Sequence, residues 1–106
     1  MIRKAFLIKA KDGMITEYQK RHNPIWPELK EALKAHGISN YSIFLHEDTA
    51  SFFCYLEIQD EETFLRLAET KVCQDWWVYM TEVLVCENNK SVKAKEDILT
   101  EVFYLA

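Results

Sequence analysis

Two glycines and two prolines in 106 residues leave few places where this chain can turn sharply or break a regular element. Such sparse punctuation excludes collagen-like, linker-rich and Pro/Gly-rich disordered classes, and it makes each of the four positions informative. Cysteine is scarce too. Cys54, Cys73 and Cys86 are odd in number and widely separated, so they suggest no disulfide framework. Cys54 falls in an apolar strand pattern and Cys73 on an apolar helix stripe, which reads as buried free thiols in a reducing cytoplasm. The three histidines, His22, His36 and His46, stand too far apart, without cysteine neighbours, for a local metal motif. No apolar run approaches the roughly 20 residues of a membrane helix, and the run after Met1 is too short for a signal peptide. A net charge of −4 lacks the positive footprint that nucleic acid requires.

What remains is ordinary globular composition, 49% apolar and 28% charged, which predicts one folded domain over residues 1–106. A domain this small hides less of its surface than a larger one, so association is a natural supplement. Residues 2–10 alternate through Ile2, Lys4, Phe6 and Ile8 and read as a strand, closed by the Asp12-Gly13 turn signal. Met14 to His36 follows a helical period interrupted at Pro24, with Pro27 placed to open the second segment and Gly37 to close it. Residues 38–46 and 51–58 are period-two and joined by the polar Glu47–Ala50, which predicts a hairpin. Asp60 and Thr70 stand where helix caps belong, ahead of Phe64, Leu67 and Ala68 and of Cys73, Trp76, Trp77, Met80, Val83 and Leu84. Residues 86–97 have no period and read as a surface loop, and Glu101-Val-Phe-Tyr-Leu105 as a terminal strand.

The order β-α-β-β-α-β is the split βαβ, an α+β ferredoxin-like sandwich with an antiparallel sheet. Such a sheet normally packs one face on helices and leaves the other to solvent. Here both faces read as apolar, with Tyr41, Ile43 and Leu45 on one and Phe44, Phe52, Cys54 and Leu56 on the other. A second copy of the chain is the simplest cover for the spare face, so a homodimer is expected.

The chemistry-bearing stretch is Tyr18-Gln-Lys-Arg-His22-Asn-Pro-Ile-Trp26-Pro27. Residues four apart share a helix face, so Tyr18 and His22 address the same object. Pro24 pushes Asn23 from helical angles and leaves His22 at a helix end with unpaired carbonyls nearby. Imidazole titrates near neutrality and can give or accept a proton; Lys20 and Arg21 could lower its pKa by repulsion, or, pointing outward, are simply solvated. Trp76 and Trp77 sit about 100° apart on a helix, so one ring can fill the core while the other reaches a pocket edge. Tyr41 opens the hairpin strand as either core or pocket wall. Aromatic faces, hydroxyls and one histidine suit a small polyhydroxy ligand, without specifying a sugar.

Five blocks, Ile2-Arg-Lys-Ala-Phe6, Glu17–Leu29, Asn40-Tyr-Ser-Ile43, Val72–Met80 and Glu101–Leu105, resemble the L-rhamnose mutarotase family from end to end. The resemblance implies a cytoplasmic, homodimeric α/β barrel that interconverts the α and β anomers of L-rhamnose as a cofactor-free isomerase. It places the proton donor on His22 and the sugar contacts on Tyr18, Tyr41, Trp76 and Trp77. Other readings of such a fold are an oxygenase of the dimeric α/β barrel type and a non-catalytic small-ligand module.

Overall fold

Strand β1 (Ile2–Lys9) ends at a turn where Gly13 takes φ +75°, a left-handed angle that glycine adopts without steric cost. Helix α1 (Ile15–Arg21) stops one residue before His22, and helix α2 (Pro27–Ala35) starts on Pro27 as its first residue. Gly37 closes α2 at φ +79°; a Cβ there would stand 3.2 Å from the Gln59 side chain. Strands β2 (Ile38–His46) and β3 (Ser51–Ile58) form the predicted hairpin through a 3-10 turn at Glu47–Thr49. Helix α3 (Glu61–Arg66) is capped by Asp60, whose carboxylate accepts the Thr63 N–H at 2.8 Å. Helix α4 (Lys71–Met80) and a short strand β4 (Asp97–Leu99) complete the chain, and the computed structural model describes all residues 1–106.

The sheet runs β2-β3-β1-β4 with every neighbour antiparallel, the ferredoxin-like order. One face carries Ile8, Phe52, Cys54, Leu56 and Ile58 against Tyr18, Leu29, Cys73, Trp76 and Met80 of the helices. No charged, amide or histidine side chain is buried in that core. No helix is long and apolar enough to cross a membrane.

Three expectations need correction. Ile43 pairs with Cys54 and Leu45 with Phe52, so these residues share the helix-side face instead of lying on opposite faces. Residues directly opposite in a ladder project to the same side, and the four-residue connection sets that register. Ser39 pairs with Glu57 but Ser42 with Tyr55, a bulge in which Asn40 and Tyr41 together face Leu56. Asn40 absorbs it at φ +49°, and the extra residue brings Tyr41 round to the helix side. The open face therefore carries Ala5, Leu7, Phe44, Phe53 and Tyr55, and Phe44 and Phe53 are 65% and 44% exposed.

The terminal strand lies earlier than predicted. Asp97, Ile98 and Leu99 pair with Leu7, Phe6 and Ala5, whereas residues 101–105 join no ladder. Continuing that register would set Val102 opposite Ile2, so the residues after it outrun the start of β1. The tail is held by side chains: Arg3 donates to both Glu101 oxygens at 2.7 and 2.9 Å and lies 3.5 Å from the Tyr104 ring centroid. Thr70 stands at the N-cap of α4 but donates its hydroxyl backward to the Leu67 carbonyl at 2.7 Å, so it makes no forward cap.

Candidate active site

Between the helix-side face of the sheet and α1, α2 and α4 lies a cavity of about 720 Å³, within the range of small-molecule sites. His22, Tyr18, Tyr41, Trp76 and Trp77 all line it, so the fold brings the five predicted residues into one space.

His22 sits at the C-cap of α1, where the last carbonyls of a helix lack intrahelical donors. Its Nδ1–H donates to one of these, the Tyr18 carbonyl, at 3.1 Å. A carbonyl can only accept, so the hydrogen of the neutral ring is fixed on Nδ1 and Nε2 is left for a ligand. The imidazole stacks on Tyr18 at 4.3 Å between centroids and meets Trp76 edge-on at 5.3 Å. Tyr18 in turn stacks on Phe52 at 3.9 Å, so the histidine is backed by a column of rings anchored in β3. Burial pushes the His22 pKa below the ordinary 6.5, against a smaller opposing effect of the Tyr18 carbonyl.

Burial, and not repulsion from Lys20 or Arg21, sets that direction. Arg21 is occupied elsewhere: it donates to Glu17 at 2.9 Å, to the Tyr79 carbonyl at 2.8 Å and to Glu82 at 2.9 Å. It also lies 3.9 Å from the Tyr79 ring centroid. That cluster steadies Tyr79, which stacks on Trp26 at 5.2 Å, and Trp26 packs edge-on against Trp76 at 5.0 Å. Trp26 thus buttresses the wall from behind.

Trp76 is buried and Trp77 half-buried, and both line the cavity. Tyr41 keeps 40% of its area accessible, and yet burial pushes its phenol pKa upward. Both hold because the ring faces the cavity while protein surrounds it. Burial also raises the Tyr18 phenol, and it pushes the Cys54 and Cys73 thiols up to about 12 and about 11. These four groups are neutral donors or weak acceptors at pH 7. No three His, Cys, Asp or Glu side chains converge as a metal site would require.

Sequence reasoning missed Lys93 and Glu96, which reach the cavity from the loop after α4. Lys93 Nζ lies 4.1 Å from the Trp77 ring centroid and 3.3 Å from Glu96 Oε2. A charged pair in an aperiodic loop carries no pattern from which its direction could be read.

The L-rhamnose mutarotase family profile matches residues 3–105. An L-rhamnose mutarotase of Listeria monocytogenes is 48% identical over 106 residues, covering all of both chains. The crystal structure of an L-rhamnose mutarotase from Formosa agariphila superposes with a TM-score of 0.87 at 33% identity, again over all of both chains. A dimeric ferredoxin-like protein from an uncultured marine organism, 14% identical with a TM-score of 0.60 over 98% of this chain and 96% of its own, shares the fold alone. With a matching profile and full-length identity near one half, the chain belongs to the L-rhamnose mutarotase family.

Proposed function

We propose that this protein is an isomerase that binds L-rhamnopyranose in the 720 Å³ cavity and interconverts its α and β anomers. Anomer exchange opens the pyranose ring: the ring oxygen gains a proton, the anomeric hydroxyl loses one, and the C1–O5 bond breaks. The aldehyde turns about C1–C2 and the ring recloses on its other face, with both protons returned. No electrons change hands. His22 is the proton donor in this reading, delivering from Nε2 to the ring oxygen on opening and recovering the proton on closure. Because burial holds the resting imidazole neutral near pH 7, donation draws on a minor imidazolium fraction that is correspondingly more acidic. Trp76 and Trp77 cover the apolar side of the sugar, including its methyl group, and the Tyr18 and Tyr41 hydroxyls hydrogen-bond its polar side.

The observation that carries the reading is the Nδ1 bond to the Tyr18 carbonyl, which fixes the tautomer and leaves the other nitrogen unbonded on a ring that lines the cavity. One placed acid–base group contributes roughly 10²–10⁴ in rate, or about 3–5 kcal/mol off the barrier. Saturation-transfer NMR on L-rhamnose tests it. The native protein accelerates exchange above buffer and His22→Ala loses about that factor; equal rates for the two proteins remove His22 from the donor role.

The functional unit in this reading is a homodimer, each copy covering the open apolar face of the other, and its compartment is the cytoplasm. Exposed Phe44 and Phe53, together with the apolar tail, support the first. Three free cysteines support the second.

A further inference from the structure

We propose that Glu96 is the second proton-exchanging group of the site, taking the anomeric proton while His22 serves the ring oxygen. The assignment rests on the anomer-exchange reading above. Ring opening moves two protons, and one imidazole nitrogen accounts for only one of them. The lining of the cavity offers a single carboxylate, Glu96. Its other acid–base groups are poor acceptors: Tyr18 and Tyr41 are phenols raised by burial, and Cys73 is a thiol raised to about 11. Lys4, Lys93 and Arg3 are cations, with no lone pair to offer while charged.

Glu96 and His22 line the same cavity, and each is tied to one of the tandem indoles. Trp76 meets the imidazole at 5.3 Å, and Trp77, turned by about 100° on the same helix, carries the Lys93 ammonium 4.1 Å from its centroid. Lys93 then holds Glu96 Oε2 at 3.3 Å, while Oε1 makes no bond within the protein and is free to accept from a hydroxyl. The charge of Glu96 is felt by Tyr41, Cys54 and Cys73 across the cavity, which agrees with a carboxylate that faces inward. Two adjacent tryptophans thereby position both ends of a proton relay, one by ring contact and one through a lysine.

The steps balance. On opening, the C1–O5 electron pair leaves with O5, which takes the proton from His22 Nε2; the O1 proton passes to Glu96 Oε1, and C1=O1 forms. On closure, O5 attacks C1 from the other face and returns its proton to His22, while Glu96 reprotonates O1. Both groups end as they began.

Saturation-transfer NMR with L-rhamnose on native protein, Glu96→Gln and Glu96→Ala tests this, with folding followed by circular dichroism. Glu96→Gln is expected to lower kcat by about 10²–10⁴-fold with KM little changed, because the amide keeps the shape and loses the proton acceptor. Added formate restores part of the rate to Glu96→Ala; should that variant unfold, Glu96→Gln alone decides. A Glu96→Gln kcat equal to native, or a loss confined to KM, overturns the assignment while leaving anomer exchange intact. Native protein without exchange above buffer removes the functional reading, and this role with it.

Discussion

Alternate residues along β3 lead opposite lives. Phe52, Cys54 and Leu56 point to the helices and are 1–2% exposed, whereas Phe53, between two of them, is 44% exposed on the other face. The contrast widens beyond the strand: Phe44 is 65% exposed beside Phe53, and Val102 of the tail is 92% exposed. The open face mixes Leu7, Phe44, Phe53 and Tyr55 with Arg3, Ser42 and Glu57, so it is apolar in part and still exposes large rings. What differs is supply. Four helices connect the strands and all lie on one side, and none remains for the other. The closed side is completed by this chain and holds the cavity; the open side has no element of this chain over it, and the proposed homodimer would cover it.

Striking each side separately should give different kinds of damage. The largest effect belongs to Phe52→Ala, which removes a buried ring that also supports Tyr18 at 3.9 Å. It is expected to cost about 3–5 kcal/mol in urea unfolding and to lower exchange as the Tyr18–His22 column loses its base. Phe44→Lys comes next. The exposed lysine leaves the unfolding of the isolated chain little changed but weakens self-association by about 2 kcal/mol, near 30-fold in Kd, visible by sedimentation velocity. If Phe44→Lys instead unfolds the protein as readily as Phe52→Ala, the two sides are not the separate layers described above.

Much of this arrangement is legible in the sequence, and its failures have physical causes. The limits of β2 and β3 follow from period-two runs around a polar connector, and the break between α1 and α2 follows from Pro24. Asp60 announces its helix because a short carboxylate can satisfy a free N–H locally. Which face Ile43 and Leu45 share with Phe52 is a matter of register, which alternation within either strand leaves open. The one-residue bulge that turns Tyr41 inward leaves no sign beyond an asparagine. The tail reads as a strand because alternation reports readiness to pair, while the partner depends on where β1 begins. The cavity itself was half legible. Tyr18 and Trp76 sit on regular helices and His22 at the cap of one, so helix geometry fixes their directions, but Lys93 and Glu96 arrive on a loop whose path is set by tertiary contacts such as Lys95 N–H to the Val85 carbonyl.

The smallest expected signal comes from His22. Its ring is desolvated by Tyr18, Trp76 and the rest of the closed side, all from its own chain, so the depressed pKa should survive when the open side is disturbed. An NMR titration of the His22 ring is expected to give a midpoint below 6.5 in native protein and the same midpoint in Phe44→Lys. The linked effect on stability has a definite sign. Unfolded His22 titrates near 6.5 and the folded ring lower, so between the two values the unfolded chain binds more protons. Stability from this residue is therefore complete above pH 6.5 and is lost as pH falls through the folded midpoint. Thermal melts from pH 7.5 to 5 should show native protein losing more than His22→Gln, which has no such proton to take up. A midpoint that rises to 6.5 in Phe44→Lys would mean that the second copy helps to bury the imidazole, and the site would then belong to both sides of the sheet.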